Sequence, residues 1–141
     1  MRVLTLFFAI ALFALTSPIM AQEAGDEAAI RATINNYFEG IKERDKSKLA
    51  KAFLDSDAHM KFVRTRGGKQ SVSVADYNQT LKRLSSGRKN PDLKGKILSI
   101  DIYNPIAAFA VFDFDNRYID GFQLVKVNGN WRIINKTFVD K

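Results

Sequence analysis

Apolar residues follow two different periods along the chain, and the change of period divides it. Between Asp26 and Arg44 the positions Ile30, Ile34, Tyr37, Phe38 and Ile41 recur at spacings of four, three, one and three, a single stripe of a helical surface. Asp26 stands where a helix cap is expected, and Arg44-Asp45-Lys46 breaks the stripe. Ser47 is placed to cap a second, short helix whose apolar side is Leu49, Ala50, Phe53 and Leu54, closed by Asp55 to Asp57. His59 to Thr65 has the composition of a strand, Gly67-Gly68 suits a turn with positive φ, and Gln70 to Val72 forms a short return strand. Ser73 and Asp76, three residues apart, resemble a capping box, followed by a helical stripe of Tyr77, Leu81 and Leu84.

After the polar loop Ser85 to Asp92 the period becomes two. Ile97–Tyr103, Ala107–Phe114, Tyr118–Val127 and Trp131–Val139 predict four successive strands, separated by Asn104-Pro105, Asp115-Asn116 and Asn128-Gly129. Helices first and an antiparallel meander afterwards predict an α+β domain with the helices on one sheet face. On Ala107–Phe114 both sides of the strand are apolar, with Ala108, Ala110, Phe112 and Phe114 on one and Ala107, Phe109 and Val111 on the other. A sheet with one wet face would alternate more cleanly, so the outer face is expected to be covered, and a homodimer through the sheet is the expected cover.

The N-terminus has a different character. Arg2 precedes the apolar run Val3 to Leu15, Ser17-Pro18 interrupts it, and Ala21 offers a small residue for cleavage before Gln22. The run is shorter than the roughly 20 residues a spanning helix needs, and the pattern predicts a signal peptide over residues 1–21. The expectation is a periplasmic or secreted domain of residues 22–141 without stable membrane insertion after cleavage. The chain has no cysteine and one histidine, His59, which excludes thiolate chemistry and multi-histidine metal sites. No metal and no cofactor are expected. The formal charge of +7 suggests nucleic acid. However, Lys42, Arg44, Lys46, Lys48 and Lys51 alternate with acidic or apolar residues, the pattern of a solvated face, so nucleic acid is not the expected partner.

The order of elements, with Leu49 to Phe53 in the second helix and Asp57-Ala58 entering a strand, resembles the opening of nuclear transport factor 2-like domains. Tyr118-Ile119-Asp120-Gly121-Phe122-Gln123-Leu124 and Asn128-Gly129-Asn130-Trp131-Arg132-Ile133-Ile134-Asn135-Lys136 resemble the branch labelled "Putative lumazine-binding", close to SnoaL-like proteins. The resemblance covers essentially all of residues 22–141. It implies a cup-shaped, cystatin-like roll enclosing a mostly apolar cone, often dimeric through the opposite side of the sheet. One such fold hosts many chemistries.

The ketosteroid isomerases of that superfamily supply a test. By local motif their helix tyrosine falls on Tyr37 and their oxyanion aspartate on Asp120, whereas their aspartate base would fall near Lys61 or Phe62, where there is no carboxylate. Isomerase chemistry of that form lacks its proton acceptor. A two-residue turn at Asn128-Gly129 would set Asp120 opposite Thr137, on a face with Ile133 and Asn135. A three-residue loop would set it opposite Phe138, on a face with Ile134 and Lys136. The family pattern favours the second register, which gathers Tyr37, Phe62, Asp120, Phe122, Lys136 and Phe138 as ligand-binding residues. The reading that follows is an exported domain binding a small apolar or aromatic molecule. The alternatives are an isomerase, dehydratase or hydrolase using Asp120 and Tyr37, or a dimeric interaction module whose cup is filled by its own side chains.

Overall fold

The computed structural model describes residues 18–55 and 57–141. The leader expected over residues 1–21 lies outside the described residues except for its last few. The chain runs α1 (Pro18–Glu43), α2 (Lys46–Ala52), β1 (His59–Arg66), β2 (Lys69–Ala75), α3 (Tyr77–Leu84), β3 (Gly95–Asn104), β4 (Ala107–Phe114), β5 (Tyr118–Val127) and β6 (Asn130–Asp140). The six strands form one sheet in the order β2-β1-β6-β5-β4-β3, antiparallel except where β1 runs beside β6. This is the α+β roll expected, with helices on one face of a curved sheet.

Three helix starts differ from expectation. Asp26 does not cap α1, because the helix begins two turns earlier at Pro18. Its carboxylate is instead buried, accepting from Trp131 Nε1 at 3.0 Å, Gln22 Nε2 at 3.0 Å and Lys126 Nζ. The Lys126 bond, helped by the other two, holds its pKa down at about 2. Asp45, not Ser47, caps α2, since Arg44 at φ 59° reverses the chain and leaves Asp45 Oδ1 over the Ser47 and Lys48 amides. Ser73 remains in β2, and the capping box is made by Asp76 with Gln79.

Curvature comes from register shifts. In β3 they occur between Ile97 and Ser99 and between Ile102 and Asn104, and such extra residues bend and twist a strand. The concave face buries Ala108, Ala110, Phe112, Phe122, Leu124, Trp131 and Ile133 against Ile30, Ile34 and Leu49 of the helices. Thr33 Oγ1 donates to Trp131 O at 3.0 Å, tying α1 to β6 inside this core.

The β5–β6 hairpin combines both predicted arrangements. Asn128 (φ 50°) and Gly129 (φ 76°) form the tight two-residue turn, Val127 pairs with Asn130, and the ladder continues to Leu124 opposite Ile133. A bulge follows, Gln123 pairs with Asn135, and Asp120 ends opposite Phe138. The register expected at Asp120 is therefore present, but its cause is the extra residue Ile134 and not a longer loop.

Candidate functional site: a cup floored by a buried ion pair

Below the rim between α1, α3 and the β1–β6–β5 end of the sheet lies a cavity of about 540 Å³. Its apolar wall includes Ile41, Met60, Leu84, Leu93, Phe114 and Tyr118. The cup is open and not filled by its own side chains, contrary to the filled-module alternative.

Strand and helix periodicity bring the polar floor together. Tyr37 faces inward from α1, Asp120 from β5 and Lys136 from β6, and all three are almost wholly buried. The Tyr37 hydroxyl donates to Asp120 Oδ2 at 2.6 Å, and Lys136 Nζ donates to Oδ1 at 2.6 Å. Both carboxylate oxygens are therefore engaged within the floor. Burial, then the Asp120 charge and hydrogen bond, pushes the Tyr37 phenol well above its ordinary value, so it remains a donor. Burial also pulls the Lys136 ammonium below its usual range, with Asp120 opposing the shift. The ammonium lies 4.5 Å from the Phe138 ring centroid and 5.6 Å from that of Tyr37, where aromatic faces supplement the single carboxylate.

Of the six predicted site residues, Tyr37, Phe62, Asp120, Lys136 and Phe138 line the cavity. Phe62 and Phe138 stack at 5.2 Å with an interplanar angle of 15°. Phe122 does not line it. That ring is buried beneath the floor, 5.0 Å from Tyr37, and supports the tyrosine from below. Of the two positions near which an isomerase base would fall, Lys61 is exposed and off the cavity, and the one on the cavity is Phe62, which has no carboxylate. His59 is also off it, its Nδ1 3.1 Å from Asp57 O. Among the described residues no cluster of three or more metal-ligating side chains occurs.

Sequence reasoning missed the arginines. Arg44, Arg64, Arg83 and Arg117 all line the cavity, although the alternating pattern around Arg44 reads as a solvated face. Arg64 had a signal available, because it follows Met60 and Phe62 at the strand period of two. Arg44, Arg83 and Arg117 had none, since they come from three separate segments.

The model of the family described as "Putative lumazine-binding" matches residues 25–139. The chain belongs to this family. Its fold is that of nuclear transport factor 2-like proteins, and solved structures share it. A protein of unknown function from Shewanella baltica is similar at 24% identity, with 84% of this chain and 95% of that one covered and a TM-score of 0.72. One from Methylobacillus flagellatus is similar at 23% identity, covering 83% and 93%, with a TM-score of 0.70. A hexachlorocyclohexane dehydrochlorinase of type 2 is similar at 12% identity, covering 86% and 89%, with a TM-score of 0.64. No curated protein matches the chain. At these identities the structures speak for the fold of this family member and not for its chemistry.

Proposed function

We propose that this domain is exported and binds a small apolar or aromatic molecule in the cup without turning it over. The observation that carries the reading is the open cavity of about 540 Å³ on whose floor both Asp120 oxygens are already bonded, one to Tyr37 and one to Lys136. That volume lies within the ordinary range of small-molecule sites. Of the two carboxylates in the lining, Asp120 has both oxygens engaged, by Lys136 and Tyr37, and is committed to the floor, whereas Asp115 accepts from the Lys94 amide at 3.2 Å through one oxygen only. Lys136 keeps two further N–H donors, which suit a carbonyl or hydroxyl of a bound molecule.

The test is a thermal-shift screen of the purified protein against pterins, flavins, steroids, quinones and related metabolites. A ligand that binds only the folded state raises the melting temperature by mass action, by about 2.7 kcal/mol of stability at a hundredfold excess over Kd. A hit weakened by Phe138→Ala supports the cup, whereas no hit at millimolar ligand rejects it. Export is tested by N-terminal sequencing of the protein recovered from the periplasm or medium, where Gln22 is the residue expected first.

The outer sheet face supports a homodimer as part of the same proposal. Phe109 is 44% exposed there. Two strands away, across Gln123, the Asn135 Oδ1 is buried without a hydrogen-bond partner among the described residues. Sedimentation of the native protein and of Phe109→Asp decides this point: a dimer that becomes a monomer is expected, and a native monomer refutes it.

A further inference from the structure

The cup divides into an apolar wall and a strongly basic mouth. Five basic side chains line it, Arg44, Arg64, Arg83, Arg117 and Lys136, against two carboxylates, Asp115 and Asp120. Lys136 and Asp120 cancel each other on the floor. What remains is four guanidinium groups facing one acid. Arg44 is fixed by bonds to Arg88 O at 2.8 Å and Leu84 O at 3.0 Å. Arg64, Arg83 and Arg117 make no ion pair with a carboxylate among the described residues.

Their positions are specific. The guanidinium carbons of Arg64 and Arg83 lie 4.8 and 4.7 Å from the centroid of the same ring, Phe62, whose stacking partner is Phe138. Arg117 lies 5.4 Å from the Tyr118 centroid. Two like charges gathered on one aromatic ring repel each other, and among the described residues no carboxylate pairs with either to offset this. Guanidinium groups laid on rings are already partly dehydrated and present planar donor forks that match an oxyanion. A concave site of one sign also focuses its field on whatever enters.

We infer that the molecule bound in the cup is an amphipathic anion: a flat apolar body seated against Phe62, Phe138 and Tyr118, with an oxyanion group held by Arg64 and Arg83 at the mouth. Carboxylate, sulfonate and phosphate share the chemistry that would be recognised. This inference rests on the cup being a ligand site and adds the sign and position of the ligand's charge.

A matched pair of fluorescent probes tests it. 1-Anilinonaphthalene-8-sulfonate and N-phenyl-1-naphthylamine have the same aromatic body, and only the first bears an anion. Titrated into the native protein, the sulfonate is expected to bind at least tenfold more tightly, with affinity falling as salt is raised. Arg64→Gln or Arg83→Gln is expected to weaken the sulfonate about tenfold, the effect of one charge-assisted hydrogen bond, and to leave the neutral probe unchanged. Lys61→Gln removes the same charge from the other side of β1 and is expected to alter neither. These arginines are exposed, so their replacement leaves the core intact. Equal binding of both probes, with Phe138→Ala weakening both, overturns the anion inference and leaves the cup as a ligand site. A preference for the sulfonate that neither arginine variant reduces also overturns it. If neither probe binds, the ligand site itself is refuted and the inference falls with it.

Discussion

Replacing Lys136 with methionine isolates the energetics of the floor. In the native protein the ammonium and the Asp120 carboxylate are both buried, with side-chain exposures of 3% and 2%, and they meet at 2.6 Å. Methionine matches the length of the lysine stem but leaves the carboxylate with only the Tyr37 hydroxyl. An uncompensated buried charge costs about 3–5 kcal/mol. With a urea m-value of about 1–3 kcal/mol/M, the midpoint falls by about 2 M at unchanged slope. The loss is due to stranding the charge and not to losing a favourable contact. A triple variant that also carries Asp120→Leu and Tyr37→Phe, leaving no polar atom unpaired, is therefore expected to recover most of it. Urea unfolding of the wild type, the single variant and the triple variant at one pH is the assay. A single variant within about 1 kcal/mol of wild type would show that water reaches the floor. A triple variant less stable than the single one would show that the pair contributes more than its burial costs. Either result refutes the reasoning.

Three further predictions follow from neighbouring groups. Asp26, held at about 2 against an ordinary 3.8, contributes stability that is present above pH 3.8 and lost as the pH falls through 2. This amounts to about 2 kcal/mol, and Asp26→Asn is expected to flatten that part of the stability–pH curve. Tyr37 retains its proton in the fold while the unfolded chain ionises near 10, so its contribution is present below pH 10 and lost above it. Phenolate absorbance should show one tyrosine ionising only with unfolding, and Tyr37→Phe should remove that step. Gly95→Ala would drive a methyl into the Phe112 ring and to 2.7 Å from that of Phe38. Overpacking of that kind costs about 1–3 kcal/mol, and an unchanged melting temperature would show that the rings give way freely.

The elements whose patterns are local were legible in the sequence. Ala107–Phe114 and Tyr118–Val127 have the predicted limits because each apolar run is bounded by turn residues on both sides. Asp26 was misassigned for a corresponding reason. An acidic residue ahead of an apolar stripe has the local form of a cap, and its partners Lys126 and Trp131 lie a hundred residues away. The Tyr37–Asp120 pairing followed from the family motif, and the register that motif favours set Lys136 on the same face; that the ammonium takes the carboxylate's other oxygen is seen only in the structure. The basic mouth was the least visible feature, since its four arginines come from the turn after α1, β1, α3 and the β4–β5 turn and meet only when the sheet curls. A surface charge and a cavity charge are identical in sequence until topology separates them.

The extra residue in β6 also allows one strand to be read in two frames. Before Ile134 the odd-numbered residues Trp131 and Ile133 point into the core, and after it the even-numbered Lys136 and Phe138 do. The structural half of the strand and the chemical half are thus out of step by one, joined by a residue that belongs to neither. Parity, more than side-chain identity, assigns Lys136 to the cup. A lysine moved to position 135 or 137 would keep the composition and empty the floor of its cation. A one-residue insertion beside Ile134 would exchange the interior and exterior of the chemical half while leaving the Trp131–Asp26 anchor in place.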